Sequence, residues 1–334
     1  MKNKTMELSI IFPTHNEGIE FIKETINSIR STIDIEDYEI IVVDDHCDIP
    51  IELKGVKIIR QSENMGVGHA FDTGIKIAQS ENIFLMGCDV RFIANNWASK
   101  MIKEINEHPK SLICTSVVHL SKGLPELTFE RSRQNFVYNG ATILMAYGKE
   151  DWNILKAEWL PRESRMLKKG DELAKSILLP LGVHYADTEC YEVPCILGAA
   201  YGVKKYWYNY IDGFWGHIKW GSLEPYISLK SWLFGGNCLT APHIETGHIF
   251  NDTQGRHGTG YVPLAYNSML VAWLLFDEED RKWLIRHLRF HDWVIEAMKM
   301  INRDMPKIEE KRKEYLSKNK MSITEFVNKF NIPF

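Results

Sequence analysis

The sequence predicts an α/β fold: a mixed, mostly parallel sheet flanked by helices, with a helical extension at the C-terminus. Two observations lead to this. From residue 7 to residue 119, short apolar runs alternate with segments of helical periodicity over short connections, the pattern of βα units with right-handed crossovers. Beyond residue 273 strand character gives way to amphipathic, charge-rich helical sequence.

Each element has its own signal. Glu7–Pro13 is an apolar strand stopped by proline, Thr14–Gly18 a turn, and Ile19–Ser31 a helix. Glu39–Val43 is a second strand running into Asp44 and Asp45, and Val56–Arg60 a third. Gly66–Gln79 is a glycine-started helix. Asn82–Met86 is a buried strand delivering Gly87-Cys88-Asp89, and Trp97–Glu107 and Leu112–His119 are a further helix and strand. From Gly123 to Gly182 the pattern weakens, and this reads as an insertion over the site. Its basic residues (Arg131, Arg133, Arg162, Arg165, Lys168, Lys169) form either a solvated face or an acceptor surface. Glu192–Val203 resumes strand character, Trp273–Met300 reads as one helix and Lys307–Lys320 as another. The division expected is a catalytic domain over 1–275 and a helical extension over 276–334.

Composition bounds the function. In 334 residues, 45% apolar and 25% charged, a substantial soluble core is expected. A net charge of −4 carries no global bias toward nucleic acid. Six cysteines without metal-ligand spacing suit reduced thiols in a cytoplasmic protein. No signal-peptide pattern is seen, and no stretch approaches the roughly 20 apolar residues of a membrane span.

Chemistry-bearing residues gather at strand ends, where open α/β sheets bind ligands. The turn Pro13-Thr14-His15-Asn16-Glu17 and the pair Asp44-Asp45 offer acceptors for a base N–H and ribose hydroxyls, or equally serve as helix caps. Asn64–Gly74, NMGVGHAFDTG, has glycines that permit close backbone approach at a helix N-terminus, where amides favour anions. It lacks the Gly-Lys-Ser/Thr of a Walker loop.

Taken together, SIIFPTHNE, IIVVDD and NMGVGHAFDTGIKIA, followed by a strand ending in an acid, resemble the nucleotide-binding half of family-2-type glycosyltransferases. That resemblance implies the GT-A fold and a nucleotide-diphosphate sugar donor, a UDP-sugar. It places Pro13, His15 and Glu17 at the nucleoside, with Asp45 and Asp72 at the uracil or ribose. Further on, PCILGAAYGV, WGSLE and TGHIF are similar, in order, to the catalytic domain of polypeptide N-acetylgalactosaminyltransferases. This second resemblance implies that Gly198 lines the sugar site, that Trp220 lies nearby and that His248 binds the metal. It also puts Arg256, His257 and Tyr261 in a loop over the diphosphate and Glu224 at the acceptor, as base or binding group.

One motif departs from the family. The expected Asp-x-Asp or Asp-x-His reads Met86-Gly87-Cys88-Asp89, leaving Asp89 as the one acid. Asp89 and His248 are then expected to share a divalent cation, Mn²⁺ or Mg²⁺, or the diphosphate itself, with Arg91 as a possible third group. Breaking a sugar–phosphate bond builds charge on the departing diphosphate, so positive charge is needed there. The expected activity is sugar transfer to a hydroxyl on a glycan, a protein or a hydroxymethylated DNA base. The rival reading is a degenerate nucleotide-sugar-binding module.

Overall fold

The computed structural model describes residues 5–92, 94–121, 137–145, 155–161, 189–250, 260–287 and 292–332. Its first half is built as the sequence predicts. Strand β1 (Leu8–Thr14), fully buried, pairs in parallel with β2 (Tyr38–Asp44) and β4 (Asn82–Met86), and β2 pairs with β3 (Lys57–Arg60). Helices α1 (Ile19–Thr32) and α2 (Val67–Ile77) are the crossovers, each turning a stripe of isoleucines and other apolar residues to the core. Gly74 lets α2 lie directly on the sheet, because a β-carbon there would overlap Ile11.

The sheet then continues through antiparallel and parallel neighbours in the order β3-β2-β1-β4-β10-β6-β11-β5. Strand β10 (Ala200–Lys204) runs antiparallel to β4 and to β6 (Ser111–Ser121), while β11 (Asn237–Phe250) runs parallel to β6. A short β5 (Val90–Phe92), absent from the sequence reading, turns back from β4 and pairs antiparallel with Thr246–His248 of β11. Helix α3 (Trp97–Glu107) follows it. Of the expected insertion, the described parts are β7 (Val137–Met145) and β8 (Leu155–Pro161), an antiparallel pair extending from β6. The basic residues named in that insertion lie outside the described residues.

The strand expected over Glu192–Val203 is two. Strand β9 (Tyr191–Glu192) pairs with β11 and stops before Pro194, which has no amide to give a ladder. Helices α4 (Lys205–Tyr210) and α5 (Leu223–Leu233) complete this half. The single helix expected from Trp273 is also divided. Helix α6 (Tyr261–Leu275) ends at an extended Phe276, and the Asp277 side chain accepts the Asp280 N–H to start α7 (Glu278–His287). Next come α8 (Asp292–Lys318) and α9 (Ile323–Phe330), whose Ser322 and Glu325 form a capping box. One continuous apolar core runs from Leu8 to Ile332, so these last helices pack onto the same core as the sheet.

Candidate active site

The C-terminal ends of β1, β2 and β4 share one sheet edge, and the antiparallel β10 begins there, with Ala200 opposite Met86. Gly87 donates its N–H to the Ala199 carbonyl, which ties the turn after β4 to the Gly198-Ala199 approach. Strand β11 runs on past this edge and carries His248, and Ile249 N–H is bonded to the Asp89 carbonyl. The result sets Asp89 Oδ1 3.4 Å from His248 Nε2. Both side chains are partly exposed, 28% and 17%. Two donors so spaced suit adjacent positions on one small divalent ion, whose bonds of about 2.1 Å set neighbours about 3 Å apart.

Glu224 enters from the N-terminus of α5 and rests against the backbone of Gly198. A β-carbon on Gly198 would lie 2.5 Å from Glu224 Oε1. Burial raises the Glu224 pKa, opposed by its own backbone N–H and by the nearby His248. Asp89, Gly198, Glu224 and His248, all named from the sequence, thus converge on one place. The Tyr201 hydroxyl, which sequence reasoning missed, is also buried within the field of Glu224 and lacks a hydrogen-bond partner among the described residues. An aromatic wall from the β7–β8 pair was missed too. Trp159 meets the His248 ring edge-on at 5.6 Å and Phe250 at 5.3 Å, and Tyr138 packs edge-on against Trp159.

On the nucleoside side each acid has hydrogen-bond donors within the chain. Glu17 accepts from the Thr14 hydroxyl and the His15 N–H, so it shapes the first turn. That turn follows buried Pro13, and His15 Nδ1 is 2.8 Å from the Asp45 carbonyl. The Asp45 carboxylate, read as a base or ribose acceptor, accepts from Gln61 Nε2 and from the N–H groups of Met65 and Gly66. Asp44 is fully buried on Arg60 and the amides of Cys47 and Ile51, and these donors hold its pKa low against the opposing effect of burial. Asp72, also read as a nucleoside ligand, accepts from the Tyr208 hydroxyl and the Phe214 N–H in a buried network with Lys230.

The glycines of Asn64–Gly74 likewise have packing roles. Gly66, at φ 96°, fits against the backbone of Lys219, and a β-carbon on Gly68 would lie 2.7 Å from Phe214. These contacts let α2 start close against the 214–219 segment.

The loop before α5 is held by a residue that carried no sequence signal. Asn267, fully buried in α6, donates to the carbonyls of Ile218, Trp220 and Gly221 and accepts the Ile218 N–H. Trp220 is thereby placed two residues before the left-handed Ser222 that opens α5. Tyr261 is the half-exposed first residue of α6, packed on Trp293. Arg256 and His257 lie outside the described residues.

Arg91 does not join the site. It turns to α1, donating to Thr25 and to the Cys88 carbonyl, pairing with Glu24 and lying over the Phe21 ring. Met86 and Cys88 are buried, and burial raises the Cys88 thiol pKa far above its usual value, so neither adds a charged ligand. What remains is an imidazole–carboxylate pair able to hold a cation or meet a phosphate, beside a buried acid able to hold a hydroxyl.

Residues 9–155 match the model of Glycosyl transferase family 2. The chain is 25% identical to human polypeptide N-acetylgalactosaminyltransferase 10 over 285 residues, covering 81% of this chain and 42% of that protein. It is 22% identical to the Drosophila melanogaster polypeptide N-acetylgalactosaminyltransferase 8, covering 75% and 39%. The chain therefore spans less than half the length of these relatives. Among solved structures, GalNAc-T7 with UDP, GalNAc and Mn²⁺ superposes with a TM-score of 0.63 at 19% identity, over 98% of this chain and 57% of that one. The chain thus carries a Glycosyl transferase family 2 match over residues 9–155, within a GT-A-like fold shared with GalNAc-T7.

Proposed function

We propose that this chain moves a sugar from a UDP-sugar to a hydroxyl of a polypeptide, with a glycan or hydroxymethylated DNA as the competing acceptors. The observation that carries the reading is the Asp89–His248 pair at the sheet edge, with Glu224, lodged against Gly198, within electrostatic reach of His248. Relatives named as polypeptide N-acetylgalactosaminyltransferases, and a similar structure solved with UDP, GalNAc and Mn²⁺, support the donor and acceptor classes.

In this reading Asp89 and His248 hold Mn²⁺ or Mg²⁺, which supplies positive charge to the departing diphosphate. Glu224, whose raised pKa suits a group that receives and holds protons, accepts the hydrogen bond of the attacking hydroxyl. Gly198 leaves room for that carboxylate beside the sugar. The aromatic rings of Tyr138, Trp159 and Phe250 keep water from one side. The ordered first turn, with His15 fixed on the Asp45 carbonyl, meets the nucleoside.

All six cysteines are unpaired, which supports a reducing, cytoplasmic setting. No helix of the described residues is long and apolar enough to cross a membrane.

The test is UDP release over a panel of UDP-sugars, with peptide, glycan and hydroxymethylated-DNA acceptors, in Mn²⁺, Mg²⁺ or chelator. Metal-dependent release that rises with a serine- or threonine-containing peptide supports the reading. Tight UDP binding without turnover on any acceptor overturns it in favour of a binding module.

A further inference from the structure

We propose that Glu104, Cys190 and His243 form a second metal site, of the zinc class, built between α3, the segment entering β9 and an excursion of β11. It is separate from the Asp89–His248 pair and does not depend on the sugar-transfer reading.

The geometry starts with β11. Its parallel pairing with β6 matches Ala241 to Thr115 and then Glu245 to Ser116, so Pro242, His243 and Ile244 are extra residues on one strand. Such a bulge re-aims a side chain, and here His243 leaves the ladder five residues before His248 and turns to α3. Its Nε2 lies 3.3 Å from Glu104 Oε1. From the other side, Cys190 Sγ lies 3.2 Å from Glu104 Oε2. One ligand atom from each of the three residues falls within 4.8 Å of the others. Zinc bonds of about 2.0 to 2.3 Å place tetrahedral ligands about 3.3 to 3.8 Å apart, so small adjustments turn this triad into three corners of a tetrahedron.

Donor types and surroundings agree. Sulfur, imidazole and carboxylate form a mixed set that suits Zn²⁺ better than Mg²⁺ or Ca²⁺. Glu104 is 8% exposed and His243 17%, so the cluster is sheltered from competing water. His108, one turn after Glu104, has its Nε2 3.8 Å from the same carboxylate. Binding would release the Cys190 proton to solvent and cross-link the start of β9 to α3 and β11.

The test uses the whole chain, stripped with chelator and titrated with Co²⁺ and Zn²⁺. To keep the sheet-edge site out of the measurement, the titration is repeated on the Asp89→Asn/His248→Gln background. The expected result is a near-ultraviolet sulfur-to-cobalt band on both backgrounds, at one Co²⁺ per chain on the Asp89→Asn/His248→Gln background. Cys190→Ser abolishes the band. Because loss of even an outer-shell partner costs about 10- to 100-fold, Cys190→Ser and His243→Gln should each weaken Zn²⁺ at least about 100-fold. On the Asp89→Asn/His248→Gln background, Zn²⁺ should raise the Tm of the chain but not of its Cys190→Ser derivative. Absence of the band in the parent chain, its persistence in Cys190→Ser, or unchanged Zn²⁺ affinity in a folded His243→Gln would each overturn the site.

Discussion

Glu224 and Gly198 are fitted to one another: the carboxylate of the first occupies the space a β-carbon would fill on the second, 2.5 Å from Oε1. Gly198 is not in the left-handed region, so alanine there meets no backbone strain, only the carboxylate. Gly198→Ala should therefore fold and bind UDP while losing kcat by up to about 100-fold, the order that a displacement near 1 Å in a positioned group costs. Steady-state kinetics with thermal melting checks this, and an unchanged kcat would remove Glu224 from the acceptor position.

Exchanging either member of the sheet-edge pair should act on turnover. His248→Ala and Asp89→Asn should each lower kcat by about 100-fold, the scale of losing one electrostatic stabiliser of the transition state, with Tm little changed. Isothermal titration of Mn²⁺ in the presence of UDP should show weakened metal binding in both. Full metal-dependent turnover in His248→Ala would exclude the pair as the diphosphate site.

Glu224→Gln separates stability from activity. Burial raises the Glu224 pKa in the folded chain above its unfolded value, so the folded state holds its proton over a window where the unfolded state has lost it. Stability from this group is present in acid and is lost as pH rises through the folded pKa. The Gln variant should melt about 2 °C or more above the parent at pH 8 and converge with it near pH 4, while kcat falls. Calorimetry at the two pH values reads the crossover.

Lys230 predicts the opposite slope. It is fully buried in α5, 3.9 Å above the Tyr226 ring, and donates to the carbonyls of Asp212 and Gly213. Burial pushes its pKa from 10.5 down to about 7, with Asp212 and Asp72 opposing. Between those values the unfolded chain carries a proton that the folded chain lacks, so stability from this group rises with pH. The parent should gain stability relative to Lys230→Met between pH 7 and pH 9.5, measured by urea unfolding. Parallel curves would refute the shift.

Asn267→Ala should loosen the loop that introduces α5. It strands the carbonyls of Ile218, Trp220 and Gly221 together with the Ile218 N–H, at a cost of about 2 kcal/mol or more. Hydrogen exchange should rise at 218–222, and kcat should fall with it. Unchanged exchange there would mean that the loop holds itself.

Local sequence signals described the first half well. Asn82–Met86 and Trp97–Glu107 have the bounds their apolar pattern predicts, because each is a short buried strand or an amphipathic helix with its breakers in sequence. Strand β11 was invisible for the opposite reason: its partners β6 and β5 lie more than a hundred residues away, and its pattern is interrupted by the bulge at His243. The same limit applied to the site. Motifs named Asp89, Gly198, Glu224 and His248, but which carboxylates point inward depends on tertiary partners. Asp45 met the β3–α2 loop, and Asp72 met Tyr208, and neither partner is near in sequence. Asn267 sits in a mostly apolar helix, where a single amide looks like noise until the loop above it is seen.

The placement of β5 and β11 has a bearing on how activity arises during folding. Asp89 and His248 are 159 residues apart, and only Asp89 of the four converging residues lies within the matched segment 9–155. Loop closure over that distance is entropically expensive and is repaid only when β6 and β11 have paired. A nascent chain that has completed its nucleotide-binding half thus holds a finished sheet edge and an unassembled centre. Recovery of turnover on refolding should trail recovery of secondary structure, with the delay set by the docking of β11.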